Sequence, residues 1–200
     1  MPAFLYLLPL FQLVVQAPFW ETKAPAAWTD GEIELLMSEA PWGAPAVSAS
    51  APGAVKGTVV AFLASARPLR EAEEQLFLRR DLKGEVRIDE DDYRSYITQS
   101  PGKHVVLAIR MAPNSFLADA KEIKTMDKEC FMRIGKQKIK AVGHFPPTPA
   151  DPYLRLLFPR ASLAGMKVLS FGLYLPGVHK PFHDLELPVK DLNYRGQLEY

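Results

Sequence analysis

The chain has one cysteine, Cys130, among 200 residues. A single thiol forms no internal disulfide and no thiolate metal cluster. Neither sign of charge is in excess: 24 Lys and Arg face 23 Asp and Glu, so no global field draws the protein to nucleic acid or an anionic surface. The stretch 4–15, "FLYLLPLFQLVV", is an uncharged apolar run of twelve residues. It falls short of the roughly 20 that a helix needs to cross a bilayer. No G-x-S-x-G is present, and no Gly-rich loop leads from a strand into a helix. The usual nucleophile elbow and nucleotide cradle are therefore missing.

Other familiar constellations are incomplete. Ser170 lies within an apolar strand pattern, "VLSFGLY", a poor setting for a nucleophile. His144, His183 and Asp184 have no spacing that aligns them as a base and its orienter. His179 and His183 have H-x3-H spacing, but Gly177 and Pro181 bracket them and only two ligands are in view. Asp89, Glu90, Asp91 and Asp92 lack the alternate spacing and mid-loop Gly of a calcium loop and read as the start of a helix. No cofactor, metal site or catalytic residue is expected.

What is present begins with the run itself. Its length is that of the apolar region of a secretory signal, with Val15 and Ala17 as the small residues before a cleavage point. Two features oppose this: no Lys or Arg precedes the run, and Pro18 follows Ala17. Residues 1–17 are expected to be a signal peptide and the protein extracytoplasmic, either periplasmic or secreted. No cysteine follows the run closely, so a lipid anchor is not supported.

Residues 18–55 read as a linker that carries one short helix over 30–40. Thr29 and Glu32 have capping-box spacing, and Trp28 with Ile33 the spacing of a hydrophobic staple. Ile33, Leu36, Met37 and Ala40 form one apolar stripe, which Pro41 ends. An isolated helix of this length is marginal in water, so the stripe needs a partner surface. If that surface is the protein's own body, the motif is structural. If it is another molecule, Trp28, Ile33, Leu36 and Trp42 are the partner-binding residues and 43–55 is their tether. Docking on the body is the favoured reading, because a short linker costs little loop entropy.

Residues 56–200 read as a single α+β domain, with helical elements first and a mainly antiparallel, strand-rich body; a β-sandwich with peripheral helices is the alternative. Residues 57–65 and 104–111 are valine- and leucine-rich strands with helices between them, an order that permits a parallel crossover. Residues 128–142 read as a hairpin turning at Gly135–Lys136, with Cys130, Met132, Ile134, Ile139 and Ala141 on its inner face. Short strands follow at 153–160, 167–177, 182–189 and 195–200. Cys130 is expected to be buried and inert.

The stretch "WTDGEIELLMSEAPWG", the helix start from Ser65 to Ala72, "LLFPR" and the terminal "DLNYRGQLEY" together resemble a family of bacterial exported proteins of unknown function. That family's pattern is Trp-Thr-Asp, an amphipathic turn, then Ser-Pro-Trp; here Ala40 stands in the Ser position. The resemblance implies export and one compact domain, and it carries no activity. The functional expectation is a non-catalytic exported domain that binds a protein or an envelope component, without nucleic acid and without a stable membrane span. The alternatives are a hydrolase that unites His144 or His183 with a carboxylate and a hydroxyl, and a small-ligand carrier with an apolar cavity between sheet and helices.

Overall fold

The computed structural model describes residues 17–48, 59–82, 91–111, 119–148 and 151–200. The apolar run at 4–15, the expected domain start at Lys56 and the acidic pair Asp89 and Glu90 lie outside them. Among the described residues the helices are α1 (Phe19–Thr22), α2 (Asp30–Ser38), α3 (Arg67–Leu82), α4 (Asp91–Gln99) and α5 (Ala120–Glu129). The strands are β1 (Gly43–Ser48), β2 (Val59–Leu63), β3 (His104–Arg110), β4 (Phe131–Ile134), β5 (Gln137–Lys140), β6 (Gly143–Phe145), β7 (Tyr153–Pro159), β8 (Val168–Tyr174), β9 (Phe182–Pro188), β10 (Asn193–Tyr194) and β11 (Gln197–Leu198). The fold is α+β, and every strand pair is antiparallel.

Nine strands form one sheet in the order β5-β4-β8-β9-β1-β2-β3-β7-β6. β1 joins its two halves. Gly43 to Ala46 pair with β2, and Val47 and Ser48 then pair with β9. The terminal strands, β5 and β6, are separated in sequence only by Ala141 and Val142. So short a link cannot span far, and the Val142 N–H donates to the Leu157 carbonyl of β7 at 2.8 Å. The two ends of the strand order therefore lie side by side, and the sheet wraps back over itself. Phe158 of β7 meets Phe171 of β8 across the interior, with ring centres 5.5 Å apart.

Register decides which residues enter this interior. Leu154, Leu156 and Phe158 alternate with Tyr153, Arg155 and Leu157 along β7, and the second set faces the helices. The hairpin forms as its pattern requires: Met132 pairs with Ile139 and Arg133 with Lys138, and Gly135 takes φ 58 at the first turn position. Cys130 is buried, its backbone neighbour Tyr174 donating an N–H to Sγ at 3.2 Å. Burial raises that thiol's pKa to about 11.

Several boundaries differ from the sequence reading. Residues 18–28 contain α1 and a 3-10 turn at Pro25–Ala27 rather than a plain linker. Residues 43–48 are strand, not tether, although "GAPAVS" is rich in small residues; the strand is held by ladder bonds from both sides. The parallel crossover does not form. β2 and β3 are adjacent and antiparallel, because α3 and α4 carry the chain away and return it to the same end of the sheet.

α2 starts and docks as its sequence dictates. Thr29 accepts a hydrogen bond from the Glu32 N–H, and Glu32 accepts one from the Thr29 N–H, which completes the capping box. Ile33, Leu36, Met37 and Ala40 are all buried. Arg79 of α3 pairs with Asp30 and donates to the Trp28 carbonyl, tying the start of α2 to the body.

Candidate functional site

Trp28 is 2% exposed and Trp42 is fully buried, and Ile33 and Leu36 are buried with them. The Trp42 indole N–H donates to the Glu199 carbonyl at 3.0 Å, and its ring packs edge-on to Trp20 and Tyr194. Tyr194 donates to Glu71 at 2.8 Å, the Arg67 N–H donates to the Glu199 carboxylate at 3.1 Å, and Arg160 lies over the Tyr200 ring. The conspicuous motifs of the sequence thus meet each other. Trp28, Leu36 and Trp42 serve the core and present no face to a partner; only Ile33 also borders an open site.

His144 and His183 are joined to no nucleophile among the described residues. His144 Nδ1 lies 3.2 Å from Asp127 Oδ1, and His183 is buried with Nδ1 3.3 Å from the Pro181 carbonyl oxygen. No described hydroxyl or thiol hydrogen-bonds to either ring. No group of three or more His, Cys, Asp or Glu is placed to hold a metal among the described residues.

A concave site with an apolar lining lies elsewhere. A groove of about 250 Å³ lies between α2 and the helix-facing side of the sheet. Ile33 and Met37 of α2, Val60 and Phe62 of β2, and Leu76 of α3 supply its apolar lining. Arg110 and Tyr153 stand directly opposite each other on β3 and β7, at the strand ends. Asp30, Glu34 and Ser38 form the α2 rim. The Tyr153 ring packs edge-on to Phe62 at 5.3 Å, which fixes the floor. Burial raises the Tyr153 pKa, so its hydroxyl stays protonated at neutral pH.

Behind this groove lies a buried ionic network. A smaller cavity of about 10 Å³ shares Met37, Leu76 and Tyr153 with it and reaches Glu73, Asp151 and Arg155. Arg155 is 3% exposed and Glu73 2%. Arg155 donates to Glu73 at 2.9 Å and to Asp151 at 2.5 Å, and its guanidinium lies 4.0 Å from the Tyr93 ring centre. The Tyr93 hydroxyl donates to Glu73 at 3.0 Å. Two carboxylates share one cation here. Burial raises the Glu73 pKa, against the opposing pull of Arg155. Burial would lower the Arg155 pKa, but the neighbouring carboxylates raise it further still. Tyr93 is pushed well above the usual phenol range by burial and then by Glu73. The Asp151 Oδ1 and Arg155 Nε atoms are buried without a hydrogen-bond partner.

Sequence reasoning passed over this network, yet one sign of it is legible. Glu73 occupies the i+4 position of the stripe Leu69, Ala72, Leu76, so the helix turns a carboxylate inward. Arg155 likewise interrupts the apolar run "YLRLLFP". A buried acid and a buried base on different elements are each other's natural partner.

Scans against protein-family models, curated proteins and solved structures returned no match.

Proposed function

We propose that the protein is an exported, non-catalytic binding domain whose ligand is a small, largely apolar molecule seated in the groove between α2 and β2, β3 and β7. The observation that carries this reading is the groove itself: an apolar floor made rigid by strands, with a few polar groups at its rim, the usual composition of a ligand site. Export rests on the apolar run at 4–15 and on the family resemblance.

The larger exposed apolar side chains offer less for a protein partner. Leu35 and Leu78 are on α2 and α3, Val142 is between β5 and β6, Leu198 is on β11, and Val168 and Phe182 are at opposite ends of the β8–β9 ladder. Residues 168 and 174 are six positions apart, about 20 Å along a strand, too far to make one patch.

An NMR titration of the full chain with 1-octanol tests the proposal. Amide shifts are expected to concentrate at Ile33–Met37, Val60–Phe62, Arg110 and Tyr153, and Val60→Trp is expected to abolish them by filling the floor. Absent shifts, or shifts centred on another surface, would overturn the reading.

A further inference from the structure

The charge pattern at the groove narrows the ligand's chemistry, on the footing that the groove is a binding site. Three charged residues line it: Asp30, Glu34 and Arg110. Asp30 is already engaged by Arg79 of α3. Glu34 is exposed on α2. Among the described residues Arg110 makes no ion pair, and the Tyr153 hydroxyl beside it makes no hydrogen bond.

These two donors are a cross-strand pair, Arg110 opposite Tyr153, at the end of the floor row that begins at Val60. Directly opposed residues hold their Cβ atoms about 5 Å apart, so the guanidinium and the phenol reach one locus. Both residues belong to the β3–β7 ladder, which makes the pair preorganised rather than loop-borne. A guanidinium beside a protonated phenol offers a cationic fork of N–H donors and one O–H donor. It complements a group rich in acceptors and negative in charge, and a carboxylate fits the planar fork best.

We infer that the groove binds a small monocarboxylate with an apolar body: the carboxylate takes hydrogen bonds from Arg110 and Tyr153, and the chain or ring lies on Val60, Phe62, Ile33 and Met37.

Calorimetric titrations of the full chain with octanoate, 1-octanol and octylamine test this. Octanoate is expected to bind about tenfold more tightly than octanol, the worth of a partly exposed charge-assisted pair. Arg110→Gln is expected to bring octanoate down to the level of octanol while octanol still binds, which also shows that the variant keeps its fold. Arg110→Lys is expected to restore part of the preference, and Tyr153→Phe to remove a smaller part of it. Octanol binding without a preference for octanoate would overturn the inference and leave the groove reading standing. Octylamine as the tightest ligand, with affinity lost in Glu34→Gln, would overturn it in favour of a cation. Failure of all three to bind would overturn both.

Discussion

Two buried groups show how the same low-polarity interior acts on different side chains. At Cys130 burial is nearly the whole story: a thiol among apolar neighbours resists ionisation, and its pKa is raised to about 11. Native protein at pH 8 is therefore expected to react with a thiol reagent far more slowly than unfolded protein; equal rates would contradict the burial. At Arg155 burial is compensated by charge. Removing this cation leaves Glu73 and Asp151 facing each other without it, so Arg155→Ala is expected to destabilise the fold by about 3–5 kcal/mol in a denaturant titration. A change under 1 kcal/mol would mean that the network is not closed from solvent.

The burial of Glu73 also sets a pH dependence. Folding raises the Glu73 pKa, so the folded state holds that proton more tightly than the unfolded chain does. Its contribution is full below the ordinary glutamate value of 4.5 and is lost as pH rises through the folded value. Glu73→Gln has no such proton to lose. The stability advantage of the native protein over Glu73→Gln is expected to shrink as pH rises from 4.5 towards neutrality; an advantage that grows would show a depressed pKa instead. Glu73 and Arg155 were readable as misfits in apolar patterns, but their pairing was not. It joins positions 82 residues apart, and no local pattern reports that separation.

At the scale of elements, local rules served where the signal was local. The capping box fixed the start of α2, the 3.6-residue stripe fixed its buried face, and the turn glycine fixed the β4–β5 register. They failed at β1, where small residues read as a tether. The reason is visible in Gly43: a Cβ there would sit 2.9 Å from the Met37 carbonyl oxygen, so the small residue permits α2 to close on the strand. Gly172 is small for another reason. A Cβ there would meet the Phe131 ring at 2.4 Å, a side chain on the hairpin flanked by Arg133 and Lys138. A ring can swing aside and a helix backbone cannot. Gly43→Ala is expected to lower the unfolding midpoint more than Gly172→Ala; the reverse order would contradict the close approach of α2.

At the scale of the molecule, the N-terminal segment is not an appendage. α1 and α2 cover the aromatic cluster around Trp42, β1 joins the two halves of the sheet, and the terminal hairpin closes over the same cluster. The α+β class and most strands were legible, because their apolar alternation is local. The wrapping of the sheet was not, since it depends on β1 pairing not only with its neighbour β2 but with β9, far along the chain. The candidate site was illegible for the same reason: it is a juxtaposition of α2, β2, β3 and β7 and carries no motif.

The groove exists only while α2 is seated and β1 is paired. Hydrogen exchange of the full chain, read residue by residue, tests that claim most directly. The amides of Ile33–Met37 and Gly43–Ala46 are expected to be protected to within about tenfold of those in β3, which share the same core. Exchange of α2 and β1 at the rate of an unstructured peptide, with β3 still protected, would contradict the account and return Trp28, Ile33, Leu36 and Trp42 to the surface.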